Sequence, residues 1–359
     1  MRAFVFFGCA ALSLSLGVVP AYPQQQDPNP QGRSGFRVRL EPSYAWSLWD
    51  DTRNELIVSA GSSQQEASRI GPLVNIYNAV SGEKRSIAIL KDFPSARFVN
   101  VDALAAGSDG SVVMACEVSL DSHSFAGDRV LLYDNHSALR MNLIAADYEV
   151  SALTTDEHGN IYLVGAHDGE QSSDESYPLL VKYSSTGRIA LEALPRSLFA
   201  DVDDPGGDGL GNSHRGATRV AVNKDAIHVY LAPASEMIAL SQAGEIRTRV
   251  NVTSKLSEFA RSKGYKDYYV DGDEFSPSGD LWLVGHLEDL VDSAAPALPA
   301  RNFVVRLTPE GQLEVPYKHV GDEPAGYYLP KLIGFTQSNE PVHLSFPTSG
   351  YLFVQKGPY

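Results

Sequence analysis

The chain has 359 residues, 43% apolar and 20% charged, with 30 glycines and 21 prolines, a globular composition that excludes collagenous, coiled-coil and wholly disordered chains. Its 29 basic and 44 acidic residues leave a formal net charge of −15, which opposes a phosphate backbone or an anionic membrane surface and excludes nucleic acid as an expected partner.

The first predicted element is an export signal covering 1–21. Arg2 precedes an apolar run at 3–19, and Val19-Pro20-Ala21 supplies the residues expected before cleavage after Ala21. Ser13, Ser15 and Gly17 interrupt the run and Pro20 ends it, which disfavours a transmembrane anchor; no later segment approaches the ~20 apolar residues of a bilayer span. The expectation is a periplasmic or secreted protein without a stable membrane anchor. Phe6-Phe7-Gly8 before Cys9 is a poor lipidation motif, and loss of Cys9 with the signal leaves Cys116 alone, in an apolar run that reads as core. Residues 22–35, polar and proline-rich, read as a disordered linker, leaving 36–359 as one domain.

Beyond the linker, six short β-patterned runs follow turn residues, at 55–60, 111–116, 160–165, 226–231, 280–285 and 341–346. The unit around the third is the clearest. A strand at 150–154 turns through Asp156-Glu157-His158-Gly159 into 160–165, and a loop leads to a third strand at 179–183, which turns through Ser184-Ser185-Thr186-Gly187 into a fourth at 189–194. Residues 277–285 and 303–315 repeat this layout, and third-to-fourth turns recur near Gly82, Asn135 and Gly244. Four antiparallel strands per unit, six times over, predict an all-β fold: a six-bladed β-propeller, with an irregular β-sandwich as the competing architecture. The last unit has only three strands before the chain stops, whereas 36–40 is a strand without a unit. Pairing the two would complete the last blade and close the ring.

These motifs resemble the six-bladed propellers that include TolB-like and NHL-repeat proteins, a likeness carried by turn and strand residues such as Asp156-Glu-His-Gly-Asn-Ile-Tyr162. Ser276-Pro-Ser-Gly-Asp-Leu-Trp-Leu283 with 305–311 is also similar to the repeats of streptogramin B lyase and the gluconolactonases. Where the lyase-type repeat continues with an acidic residue, this chain has Val284-Gly285-His286. That resemblance implies a metal-dependent hydrolase, lactonase or lyase as the alternative to a binding protein.

In such a ring the second-to-third and blade-to-blade loops share one face, and here they are the long ones: 61–71, 118–128, 166–177, 286–301, 195–216 and 251–269. A short amphipathic helix is expected within the last, at 254–263. Candidate ligand-binding residues on or near this face are Trp46, Trp49, Tyr268, Tyr269 and Tyr327, whose rings offer apolar faces with a polar handle, and His167, Asp168 and His286 at loop starts. Candidate metal ligands are Asp201 and Asp203, in a loop with four aspartates among 201–208, and Asp271 and Asp273 on the fifth inner strand. Ca²⁺ is the cation such carboxylates suit, although Pro205 and Asn212 break the EF-hand register. The sequence contains no HExxH and no Gly-x-Ser-x-Gly. It favours a non-catalytic exported propeller that takes an unidentified ligand or protein partner on its long-loop face.

Overall fold

The computed structural model describes residues 35–359 except 40–43, 61–72, 97, 120–124, 146–147, 168–175, 208–214, 290–297, 319, 321–328 and 346–350. Its local rule is a five-residue hairpin turn. Eight such turns occur among the described residues, beginning at Gly107, Asp134, Asp156, Ser184, Ser241, Ser276, Thr308 and Thr336; in each, the first N–H donates to the fifth carbonyl and the fourth N–H to the first carbonyl. The fourth position has positive φ and is glycine in six turns, Ser137 and Asn339 being the others, as the left-handed region requires. In seven turns the first side chain also accepts a hydrogen bond from the fifth N–H, which satisfies a donor the ladder leaves over.

These turns link strands into six four-stranded antiparallel sheets. From inner to outer strand, blade 1 is Tyr44–Asp50, Glu55–Ala60, Leu73–Asn78 and Lys84–Ala88. Blade 2 is Phe98–Ala106, Val112–Ser119, Phe125–Tyr133 and Leu139–Ala145, and blade 3 is Tyr148–Thr155, Ile161–His167, Pro178–Tyr183 and Ile189–Pro195. Blade 4 is Arg219–Val222, Ile227–Leu231, Glu236–Leu240 and Ile246–Asn251. Blade 5 is Asp267–Phe275, Leu281–Glu288, Arg301–Leu307 and a two-residue outer strand, Leu313–Glu314, closely followed by Pro316, which has no N–H to extend a ladder. Blade 6 has three strands of its own, Lys331–Phe335, Pro341–Ser345 and Tyr351–Lys356.

The fourth strand of blade 6 is Gly35–Arg39, paired antiparallel to Tyr351–Lys356 with Gly35 opposite Gln355 and Arg39 opposite Tyr351. The six-bladed architecture and its closure by the N-terminal strand are therefore as the repeats require. Burial says the same independently: six hydrophobic clusters lie one at each blade interface, including one between blades 6 and 1 around Trp49, Leu56, Ile333 and Val342. Each fully buried Val, Leu or Ile contributes roughly 1.5–3 kcal/mol. Cys116 is wholly buried in the cluster between blades 1 and 2.

One feature shapes the centre of the ring and another braces a blade interface. In five blades the ladder between first and second strands slips by one residue, leaving Ala45, Asp102, Ser151, Asp271 and Ile333 without an opposite number; such bulges bend a strand and re-aim side chains. The one α-helix among the described residues, Val252–Ser262, begins two residues before its expected start. Asn251 caps it, accepting from the Ser254 N–H at 2.8 Å. Its Val252, Leu256, Phe259 and Ala260 are buried in the cluster between blades 4 and 5. No helix among the described residues is long and apolar enough to cross a membrane.

Candidate functional site

The inner strands enclose a central cavity of about 610 Å³ lined by residues of all six blades, a size typical of small-molecule sites. Its wall is divided. Blades 1 to 3 contribute Trp46, Leu48, Leu104, Leu153 and several alanines, whereas blades 4 to 6 contribute Arg219, Asp271, Asp273, Glu274 and Lys331. The only ionisable lining residue of blades 1 to 3 is Asp50, which accepts from the N–H groups of Thr52 and Arg53 in its own turn.

Within the charged wall Asp273 is the fixed point. It is 3% exposed and accepts from the Ala217 N–H at 3.3 Å and from Arg219 Nη2 at 3.4 Å, while Arg219 Nε donates to its carbonyl. Burial pushes its carboxyl above the ordinary range despite Arg219. Burial does the same to Glu274, with Asp273 adding to the push and Arg219 opposing it. One Glu274 oxygen accepts from the Phe275 N–H at 3.0 Å; the other stands 4.0 Å from Arg219 Nε. Lys331 faces the same cluster, pushed down by burial and by Arg219 while Asp273 and Glu274 pull it back. It makes no ion pair or hydrogen bond among the described residues, and its side chain is open to the channel. Burial alone would lower Arg219, but Asp273 and Glu274 leave it raised.

A second constellation lies beside this wall. Tyr269 and His286 are directly opposed across the first two strands of blade 5, and their rings stack with centroids 5.0 Å apart and planes 10° apart, as a cross-strand pair on one face should. Asp271, released from the ladder by its bulge, reaches His286 Nδ1 at 2.9 Å. Gly285 makes the strand crossing possible: a Cβ there would lie 1.9 Å from the Tyr269 carbonyl oxygen.

The structure thus brings Tyr269, Asp271 and His286 together, with Asp273 close by in the chain but turned to Arg219. Trp46 lines the cavity half-buried. Trp49, 4% exposed, packs between blades 6 and 1 and donates to Asp51. Tyr268 is buried between blades 4 and 5, in the cluster that also takes Val252, Leu256 and Phe259 of the helix. His167 lies between Tyr148 and Tyr177, at 5.7 and 4.5 Å between ring centroids. Asp201 and Asp203 are exposed in the segment after blade 3; Asp168, Asp208 and Tyr327 lie outside the described residues. Among the described residues no group of three or more His, Cys, Asp or Glu side chains is arranged to hold a metal ion.

Arg219 and Lys331 escaped the sequence reading. Each begins an inner strand that is otherwise apolar, Arg-Val-Ala-Val and Lys-Leu-Ile-Gly-Phe. The rule that singled out Asp271, that inner strands line the channel, applies to both.

The chain matches no protein-family model, and no curated protein matches it. Among solved structures it is similar to a streptogramin B lyase, with 11% identity over 90% of this chain and 97% of that one and a TM-score of 0.44. It is also similar to a DUF4221-family protein of Bacteroides vulgatus, at 9% identity over 90% and 96% with a TM-score of 0.46, and to the Pan2 WD40 domain of Neurospora crassa, at 8% over 90% and 94% with a TM-score of 0.43.

Proposed function

We propose that this is an exported binding propeller that takes a small organic ligand into its central channel. The observation that supports it is the divided wall: a cavity of about 610 Å³ with Glu274 and Lys331 open on one side and Trp46, Leu48 and Leu104 on the other. The Lys331 ammonium stands exposed in the channel without a protein partner among the described residues, and so is free to take an anionic group of a ligand. The test is a thermal-shift screen with free amino acids, monosaccharides, sugar acids and nucleosides. One class is expected to raise the melting temperature, and Leu104→Trp, which fills the channel, is expected to remove that rise. If no class shifts the protein, or the Trp variant responds like the wild type, channel binding is wrong.

A hydrolase or lyase is the second reading, supported by the Asp271–His286 contact. A carboxylate on Nδ1 leaves Nε2 as the acceptor, the arrangement of an oriented general base. Turnover lost in His286→Gln with ligand binding retained would favour it, and a calorimetric Ca²⁺ titration of the wild type and Asp271→Asn tests whether a metal takes part.

A further inference from the structure

Two groups in the channel have room for a partner and carry opposite charge. Glu274 has one oxygen held by its neighbour's N–H and the other in a long ion pair with Arg219 at 4.0 Å, whereas Lys331 lines the same cavity, exposed and bonded to neither Asp273 nor Glu274. Arg219 and Asp273 already satisfy each other, so they position the open pair without competing for a ligand. Across the channel, blades 1 to 3 present Leu48, Leu104, Leu153 and an indole, Trp46, among a few small polar side chains and Asp50.

A neutral sugar could hydrogen-bond to Lys331 and Glu274 but would leave the opposite charges of the two unmatched. A simple anion would meet four carboxylates, Asp50, Asp271, Asp273 and Glu274, against two cations, Arg219 and Lys331. A simple cation would find Asp271 engaged by His286, Asp273 by Arg219 and Asp50 by its own turn, and would share the cavity with Arg219 and Lys331. A zwitterion with an apolar body satisfies all of these constraints: its ammonium donates to Glu274, its carboxylate accepts from Lys331, and its side chain covers Trp46 and the leucines. We infer that the channel binds an α-amino acid with a large apolar side chain, held by Glu274 and Lys331. This rests on the channel-binding reading above and names its ligand class.

The test is calorimetry with L-phenylalanine and L-leucine, with N-acetyl-L-phenylalanine, which lacks the ammonium, with L-phenylalanine amide, which lacks the carboxylate, and with glucose and glucuronate as other classes. The free amino acids should bind at least tenfold more tightly than either blocked form. Lys331→Met should bind the amide as well as the free acid, and Glu274→Gln should do the same for the N-acetyl form. This loss of discrimination is a readout that a merely weakened fold would not produce. Binding of glucose or glucuronate but not of amino acids overturns the inference and leaves channel binding standing. Equal affinity for free and blocked forms also overturns it, as does discrimination that survives both substitutions. Silence across all classes removes the inference and the channel-binding reading together.

Discussion

A methyl group added at Gly285 would sit 1.9 Å from a backbone carbonyl, and one added at Gly165 would sit 2.0 Å from the Glu149 carbonyl. Neither obstacle is a flexible side chain, so Gly285→Ala is expected to cost roughly 2–3 kcal/mol in urea unfolding. The contrast is Gly159, whose added Cβ would meet only Ser185 at 3.6 Å but whose φ is +74°; there alanine should cost only about 1 kcal/mol, for conformation alone. Asp102 is the bulge residue of blade 2. Burial first, then the charges of Asp128, Glu117 and Glu149, push its carboxyl up to about 7, against the hydrogen bond from the Glu117 N–H. A raised carboxyl binds its proton more tightly folded than unfolded, so its stabilising effect is present below about pH 4 and is lost as pH rises through 7. Asp102→Asn should therefore raise the melting temperature at pH 8, by the equivalent of roughly 1–2 kcal/mol, and change it little at pH 4; equal shifts at both would refute the assignment. Asp271 was legible as channel-proximal because it sits in a polar run, Asp271-Gly-Asp-Glu274. Arg219 and Lys331 were not, since a basic residue at the edge of an apolar strand looks the same whether it meets bulk water or the axis of a ring.

At the level of the element, the hairpin turn carries most of what the repeats reveal. Asp156 shows how much one side chain does there: it accepts from the N–H groups of His158 and Asn160, the Asn160 amide and the Tyr162 hydroxyl. Burial pushes its carboxyl up, but the Asn160 side-chain and backbone bonds and those from Tyr162 and His158 leave it net lowered. Asp156→Ala should cost roughly 1–3 kcal/mol at neutral pH, and the difference from wild type should shrink as pH falls below 4, where the carboxylate protonates. Turns of this kind are readable because a positive-φ fourth position and an accepting first position leave few residue choices. The bulges are not readable in this way. Ala45, Asp102, Ser151, Asp271 and Ile333 share no chemistry, so no residue preference marks where the slip falls.

For the whole molecule, the decisive pairing joins residues more than three hundred positions apart. It was legible from a count, three strands at one end and one at the other, with no need of side-chain detail. Deleting residues 1–40 should expose the edge of Tyr351–Lys356, lower the melting temperature and make it dependent on protein concentration as edges pair between molecules; deleting only 1–33 should leave the 24 strands found among the described residues and an unchanged melting curve. The site, in contrast, was legible only in half. Blade 5 carries its polar residues in one stretch of sequence, while their counterparts reach the axis from blades 4 and 6, and only the closed ring sets these side by side.

The direction of that closing strand has a practical side. Gly35 lies opposite Gln355, and Gln355 in turn neighbours His343, close to the turn at 336–340. The polypeptide therefore enters the ring at the rim of the tight hairpins, the reverse of the rim where Tyr148 meets His167 and Pro178 meets Pro195. A tether attached upstream of Gly35, to a sensor surface or a fusion partner, holds the ring from behind and leaves the opposite opening of its axis turned outward.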